Sequence, residues 1–290
     1  ILMLSAHTET GADATLKAAR AFHIAGVGAT SNVLAGKAYG IPVSGTMAHS
    51  YIEAHADEEA AFAAFARLYP ETVLLVDTYD TRDGVRRVVE LARRWGEDFR
   101  VSAIRLDSGD LDRLARDSRE ILDGDGLNGV RILASGSLDE YSIRQLVGAG
   151  APIDGFGVGT HLGVSADAPF LDSAYKLVAF RGTPRMKLAS RKVTLPGEKQ
   201  VYRQTAPDGR FREDIIATAT EPAPAGEPLL QPVMRDGQRI PGATPGLAAI
   251  RAHALAEKER LPPELRRIDP AEPYPVSISP SLQETTRRLR

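Results

Sequence analysis

No cysteine occurs among the 290 residues, which excludes disulfides and thiolate-bound metal and fits a reducing, cytoplasmic setting. An excess of either charge is also missing: 36 basic residues face 38 acidic ones, for a net charge of −2. A chain so balanced has no global basic field for a nucleic-acid backbone, so an anionic ligand would be caught locally. No apolar run approaches the length of a membrane span and no signal peptide is evident, which excludes a membrane partner. The 6 histidines show no metal-ligand spacing. The chain opens on Ile1 rather than Met and reads as a sequence without its natural start.

Hydrophobic residues make up 43% of the chain, enough for a sizeable core. From about residue 24 to 180, short apolar runs end in small or polar residues and lead into helical segments. "IPVSGT" precedes the alanine-rich stretch Glu53–Tyr69, "VLLVDTYDT" precedes "RDGVRRVVELARRWG", "VSAIRLDSGD" precedes "LDRLARDSREILDG", and "VRILASGSLDE" precedes "YSIRQLVGAG". Nearly continuous apolar strands alternating with helices predict a parallel sheet covered on both faces. Thr46, Asp77, Asp107, Ser135 and Gly157 each fall at a strand's C-terminal end. An irregular β/α barrel would gather all five on one face, whereas an open doubly wound sheet would gather only some. The fold class is therefore read as α/β, with a barrel core over 1–185. The remainder, 186–290, reads as a β- and Pro-rich C-terminal appendage packed on the barrel. Its hairpins turn at Pro196-Gly197 and Asp208-Gly209, and helices are expected over Leu247–Arg260 and Leu282–Arg290.

The sharpest local motif is "RLDSGDL". Arg105 offers a planar fork of donors to phosphate oxygens. Asp107 and Asp110 suit Mg²⁺ or sugar hydroxyls, Gly109 lets the backbone approach a ligand, and Ser108 is a hydrogen-bond donor. A surface turn with Asp110 as helix cap fits the same residues. "SGSLDE" repeats the arrangement, with Ser135, Gly136 and Ser137 ahead of a helix, as a phosphate cradle or as ordinary capping. "GFGVGT" brings Gly157, Gly159 and Thr160 to a third strand end, and its glycines mark tight packing or close ligand approach. Asp80 reads as a helix cap, while Asp77 is a candidate to orient an imidazole. His49, just past a strand and a Gly-Thr pair, is the histidine placed to act as nucleophile or base. His23, His55, His161 and His253 read as structural.

Taken in order, "GATSNVLAGKAYGIPVSGTMAHS", "LLVDTYDT", "AIRLDSGDL", "GVGTHLGVSADAP" and "RMKL…KVTLPGEKQVYR" resemble the nicotinate phosphoribosyltransferase family, over about Gly11 to Pro280. The resemblance implies transfer of the phosphoribosyl group of 5-phosphoribosyl-1-pyrophosphate to nicotinate, giving nicotinate mononucleotide on a route to NAD. It further implies ATP hydrolysis coupled through a phosphorylated histidine, His49, with Mg²⁺ as cofactor and a homodimer as the working form. Thr46 and Ser50 would flank that histidine, and Ser31 and Asn32 would lie near the pyridine ring. Arg105, Asp107 and Gly109 would hold ribose phosphates and metal, and Ser135–Ser137 with Gly157–Thr160 would cradle the 5-phosphate.

The sequence departs from the family in two places. A β-rich N-terminal domain does not precede these motifs, and His7-Thr8 stands where the family usually carries an Arg-Arg pair. A truncated or degenerate relative that binds phosphoribosyl ligands or dimerises without turnover is the alternative reading. A different phosphate-binding barrel enzyme is a third. No strand-end lysine is available for a Schiff base, which argues against an aldolase.

Overall fold

The structure is a computed structural model that describes residues 2–3 (backbone only), 11–165, 170–171, 173–188 and 194–290. His7-Thr8 lies outside the described residues. The chain divides into two compact units, Ile1–Pro169 and Phe170–Arg290. This division comes earlier than the 185/186 boundary expected from sequence. The backbone of Arg185 and of Gly197 both bond to the carbonyl of Val178, which ties residues on both sides of the expected boundary together within the second unit.

The first unit contains β1 (Leu2–Met3), α1 (Ala12–Ala25), β2 (Ala29–Thr30), α2 (Val33–Tyr39), α3 (His49–Glu53), α4 (Glu58–Leu68), β3 (Val73–Leu75), α5 (Thr81–Trp95), β4 (Ala103–Leu106), α6 (Leu111–Gly124), β5 (Arg131–Ala134), α7 (Glu140–Gly148), β6 (Gly155–Val158) and α8 (Thr160–Val164). Its six strands form one sheet in the order β2-β1-β6-β5-β4-β3, with every pairing parallel. An isolated parallel bridge between Thr30 and Val43 extends the β2 edge.

Leu74, Leu75, Val76, Ile104, Leu106, Ile132 and Ala134 are buried, as unbroken apolar strands require when both faces are covered. Each large side chain so buried contributes about 1.5–3 kcal/mol. Helix α5 turns Val85, Val88, Val89 and Leu91 to this core, on one side of the helix. Gly84 is needed there because a Cβ would sit 2.1 Å from the carbonyl oxygen of Val76, so helix and strand touch backbone to backbone. The alanine-rich stretch Glu53–Tyr69 carries one helix, α4, and the short α3 ends at its first residue. Asp57 caps α4 by accepting from the backbone N–H of Ala60.

Closure into a barrel is not seen. Among the described residues no ladder joins β3 to the Val43 edge, and Ser44–Ala48 runs on as a loop without strand pairing. The two edges still curl toward each other. The guanidinium of Arg105, on β4, donates to the hydroxyl of Thr46, and Met47 packs in the same core as Phe62 and Leu74. No described helix is long and apolar enough to cross a membrane.

The second unit holds two short hairpins, β7 (Ala179–Phe180) with β8 (Thr183–Pro184) and β12 (Met234–Arg235) with β13 (Gln238–Arg239). Its main sheet has the order β11-β9-β10-β14, built from β9 (Lys199–Thr205), β10 (Phe211–Thr218), β11 (Glu227–Pro228) and β14 (Val276–Ile278). Helices α9 (Leu247–Arg260) and α10 (Pro280–Arg288) complete it. Gly209, at φ 86°, supplies the positive φ in the turn joining β9 to β10. Arg203 forks onto Asp214 at 3.0 and 2.9 Å, and its guanidinium and that of Arg260 lie over the Phe211 ring.

Candidate active site

Three strand ends of the first unit, with loops from its β2 side, enclose a cavity of about 560 Å³. Its lining contains Ser31, Thr46, Arg105 and Asp107, the run Ser135–Ser137, and Gly157, Gly159 and Thr160. It also includes Gly45, Met47, Ala48 and His161, which sequence reasoning did not assign to the site. The only signal for His161 was its position directly after the glycine-rich strand end.

Asp107 is the hub. Its Oδ1 accepts from the Ser135 hydroxyl and stands 3.5 Å from the Arg105 guanidinium. Its Oδ2 lies 3.7 Å from Nε2 of His49. The loop that carries Asp107 is fixed from behind by Asp77. The buried Asp77 Oδ2 accepts from the backbone N–H of Asp107 at 2.8 Å and from the Ser108 hydroxyl at 2.9 Å. Gly136 closes over the same loop at φ 88°, where a Cβ would fall 1.7 Å from the Asp107 carbonyl oxygen. Ser137 is next in the chain, in the left-handed region at φ 48°, a conformation that costs a non-glycine residue about 1 kcal/mol or more.

Arg105 is the buried cation of the cavity. Its side chain is 13% exposed, and burial lowers its pKa from the ordinary value against the opposing charges of Asp107 and Asp77. Its Nε has no partner, and neither has the buried hydroxyl of Ser31. Two buried polar groups without a protein partner beside one cavity suit a polar ligand there.

The expectation that Asp77 fixes the His49 ring is corrected. The imidazole Nδ1 lies 3.1 Å from the Thr78 hydroxyl, while Oδ2 of Asp77 is taken up by Asp107 and Ser108 and its Oδ1 has no partner. Successive side chains at a strand end point to opposite sides, so Asp77 faces β4 and Thr78 faces α3. Asn32 accepts from the backbone N–H of Ala35 as the cap of α2. Ser50 is exposed on α3, outside the cavity lining. Asp110 accepts from the N–H of Arg113 as the cap of α6, and with Gly109 it borders a separate groove. Of the two carboxylates read as metal candidates, Asp107 is therefore the one in the cavity. Among the described residues no group of three or more His, Cys, Asp or Glu is placed to hold a metal ion.

Residues 4–190 match the nicotinate phosphoribosyltransferase (NAPRTase) family, and residues 225–286 match the nicotinate phosphoribosyltransferase C-terminal domain. Over 281 residues the sequence is 52% identical to nicotinate phosphoribosyltransferase pncB2 of Mycobacterium tuberculosis, covering 97% of this chain and 60% of that protein. It is 46% identical over 198 residues to the Bacillus subtilis nicotinate phosphoribosyltransferase, covering 66% of this chain and 40% of that one. The crystal structure of human nicotinic acid phosphoribosyltransferase superposes with a TM-score of 0.84 at 28% identity, covering 100% of this chain and 70% of that one. The chain thus spans about 60% of the length of the mycobacterial relative.

Proposed function

The chain belongs to the nicotinate phosphoribosyltransferase family, and from that premise we propose that it transfers the phosphoribosyl group of 5-phosphoribosyl-1-pyrophosphate to nicotinate, with ATP hydrolysis coupled through phosphorylation of His49. The observation that carries this reading is the convergence of Arg105, Asp107, Ser135–Ser137, Gly157, Gly159 and Thr160 on one cavity, with His49 just outside its lining, 3.7 Å from Asp107.

The nicotinate ring nitrogen attacks the ribosyl anomeric carbon as the bond to the diphosphate oxygen breaks, and the diphosphate leaves with the electron pair. The ring nitrogen is already nucleophilic, so no residue needs to act as a base. Charge develops on the departing oxygens. The Arg105 fork and the Ser135 and Ser137 loop are placed to receive it, in a site where fixed donors act more strongly than water does. The glycine-backed turn at Gly157–Thr160 takes the 5-phosphate through backbone N–H groups. Ser31, whose hydroxyl has no protein partner, remains for the pyridine ring and its carboxylate, and Thr46 steadies the Arg105 guanidinium.

The donor set fits Mg²⁺, which is commonly held by one or two carboxylates together with substrate phosphates; Asp107 is the carboxylate available. When bound, the ion neutralises charge on the diphosphate. A homodimer is part of the proposal, checked by light scattering on the purified protein.

The test is formation of nicotinate mononucleotide from nicotinate, 5-phosphoribosyl-1-pyrophosphate, Mg²⁺ and ATP, with γ-labelled ATP used to mark His49. His49→Ala is expected to abolish the label and leave a slow, uncoupled transfer. Unchanged labelling in that variant refutes the phosphohistidine. Stabilisation by 5-phosphoribosyl-1-pyrophosphate without product identifies a binding-only relative instead.

A further inference from the structure

A sugar 5-phosphate is close to a dianion at neutral pH, because the second ionisation of a phosphate monoester falls near about pH 6. Backbone N–H groups offer it partial charges and no net charge. Among the described residues that line the cavity, only Arg105, Asp107 and His161 ionise. Arg105 is already shared: its guanidinium donates to the Thr46 hydroxyl and stands 3.5 Å from Asp107. His161 is the other cation that this lining can supply.

Its neighbours in the chain set it there. Gly159 and Thr160 before it line the cavity. Leu162 after it packs on Ala134, Leu138 and Val158, and the N–H of Gly163 bonds to the carbonyl of Gly159 at 2.9 Å. The turn is thus anchored by its apolar residue, and His161 is left exposed on the cavity lining. The carboxylate whose field reaches His161 is that of Asp139, which caps α7 by accepting from the N–H and hydroxyl of Ser142. Those bonds from Ser142, and then the charge of His161, hold the Asp139 carboxyl below its ordinary value. Asp107 and Asp139 both repel an incoming phosphate, and a protonated imidazole offsets that repulsion.

We propose that His161 reads the charge of the 5-phosphate: its imidazolium pairs with the phosphate dianion held by the turn after β6, and its neutral form does not. The inference rests on the phosphoribosyl reading above and adds to it the residue that senses the phosphate. An imidazole gains its charge as pH falls through about 6.5. The backbone holds the phosphate at any pH, and His161 adds a grip that strengthens on the acid side. Substrate and mononucleotide product both carry the 5-phosphate, so both gain from it. Nicotinate and diphosphate lack that group and do not.

The experiment is titration calorimetry with two probes and needs no turnover. Ribose 5-phosphate carries the 5-phosphate without the diphosphate, and inorganic diphosphate with Mg²⁺ is the converse. At about pH 6, His161→Asn is expected to weaken ribose 5-phosphate by about 3–10-fold, the range for one exposed charged contact. At about pH 8, where the imidazole is neutral, the difference should fall below about 2-fold. The ratio to wild type is taken at each pH, so titration of the phosphate itself cancels. His161→Arg, charged at both pH values, should match the wild type at the lower pH and bind more tightly than it at the higher. Diphosphate affinity should be the same in His161→Asn and the wild type. A ratio that does not change with pH overturns the proposal, as does ribose 5-phosphate binding that His161→Asn leaves intact. An equal loss of diphosphate affinity places His161 at the leaving group and overturns it too. In each of these cases the phosphoribosyl reading stands. A wild-type protein that binds neither probe sinks that reading and the proposal with it.

Discussion

The two walls of the cavity are built on different principles. On one side Asp77, Arg105, Asp107 and Ser135 are linked to one another by hydrogen bonds and an ion pair, so their charges are placed before any ligand arrives. On the other, Gly157, Gly159 and Thr160 present mostly backbone, and the polar side chains of Thr160 and His161 are exposed. The first wall suits charge that develops during a reaction, because its donors need not reorganise. The second suits a phosphate that is simply held, where backbone N–H groups suffice. Damage to the first should therefore fall on kcat, and damage to the second on KM.

Asp107→Asn attacks the hub and should have the largest effect, lowering kcat by about 10²–10³-fold, measured by steady-state formation of nicotinate mononucleotide. A change confined to KM would erase the contrast between the walls. Gly136→Ala pushes a Cβ into the Asp107 carbonyl at a positive φ. It should displace the loop and cost on the order of 2–4 kcal/mol in unfolding free energy, read from denaturant titration.

Behind the same wall lies Glu58, a fully buried carboxyl whose pKa burial pushes up to about 7, partly offset by Arg87. The folded value stands above the ordinary 4.5, so the protonated form favours the fold. That contribution is complete below about pH 4.5 and is lost as pH rises through about 7. Glu58→Gln keeps the neutral form and should raise the unfolding free energy at pH 8 by on the order of 2 kcal/mol, with little gain at pH 4, read from denaturant titration at the two pH values. An equal gain at both pH values contradicts the assignment. The smallest effect is expected from His161→Ala on the backbone wall, a rise of about 3–10-fold in the KM for 5-phosphoribosyl-1-pyrophosphate at unchanged kcat, the loss of one exposed polar contact.

Much of this was legible in the residues. Apolar strands punctuated by polar ends gave the parallel sheet. Asp80 serves as the cap it was expected to be, and α9 covers the stretch Leu247–Arg260 that the sequence pattern proposed. Strand-end motifs pointed to Arg105, Asp107 and Ser135, which line the cavity, although helix capping fitted the same motifs and Asp110 does cap α6. What stayed hidden depends on direction and on distant pairing. Whether Asp77 or Thr78 faces His49 is set by the pleat at the end of β3, which composition does not reveal. The missing ladder between β3 and the Val43 edge involves segments about thirty residues apart whose local patterns do not specify it. His161 carried no pattern of its own, and only the fold brings it to the cavity.

The central claim is that loops far apart in sequence form one phosphoribosyl site. Amide ¹⁵N–¹H spectra during titration with 5-phosphoribosyl-1-pyrophosphate and Mg²⁺ test it directly. The account predicts that Gly136, Ser137, Gly159 and Thr160 shift together along a single saturable isotherm. Movement of one loop without the other, or saturation at residues away from both, contradicts it.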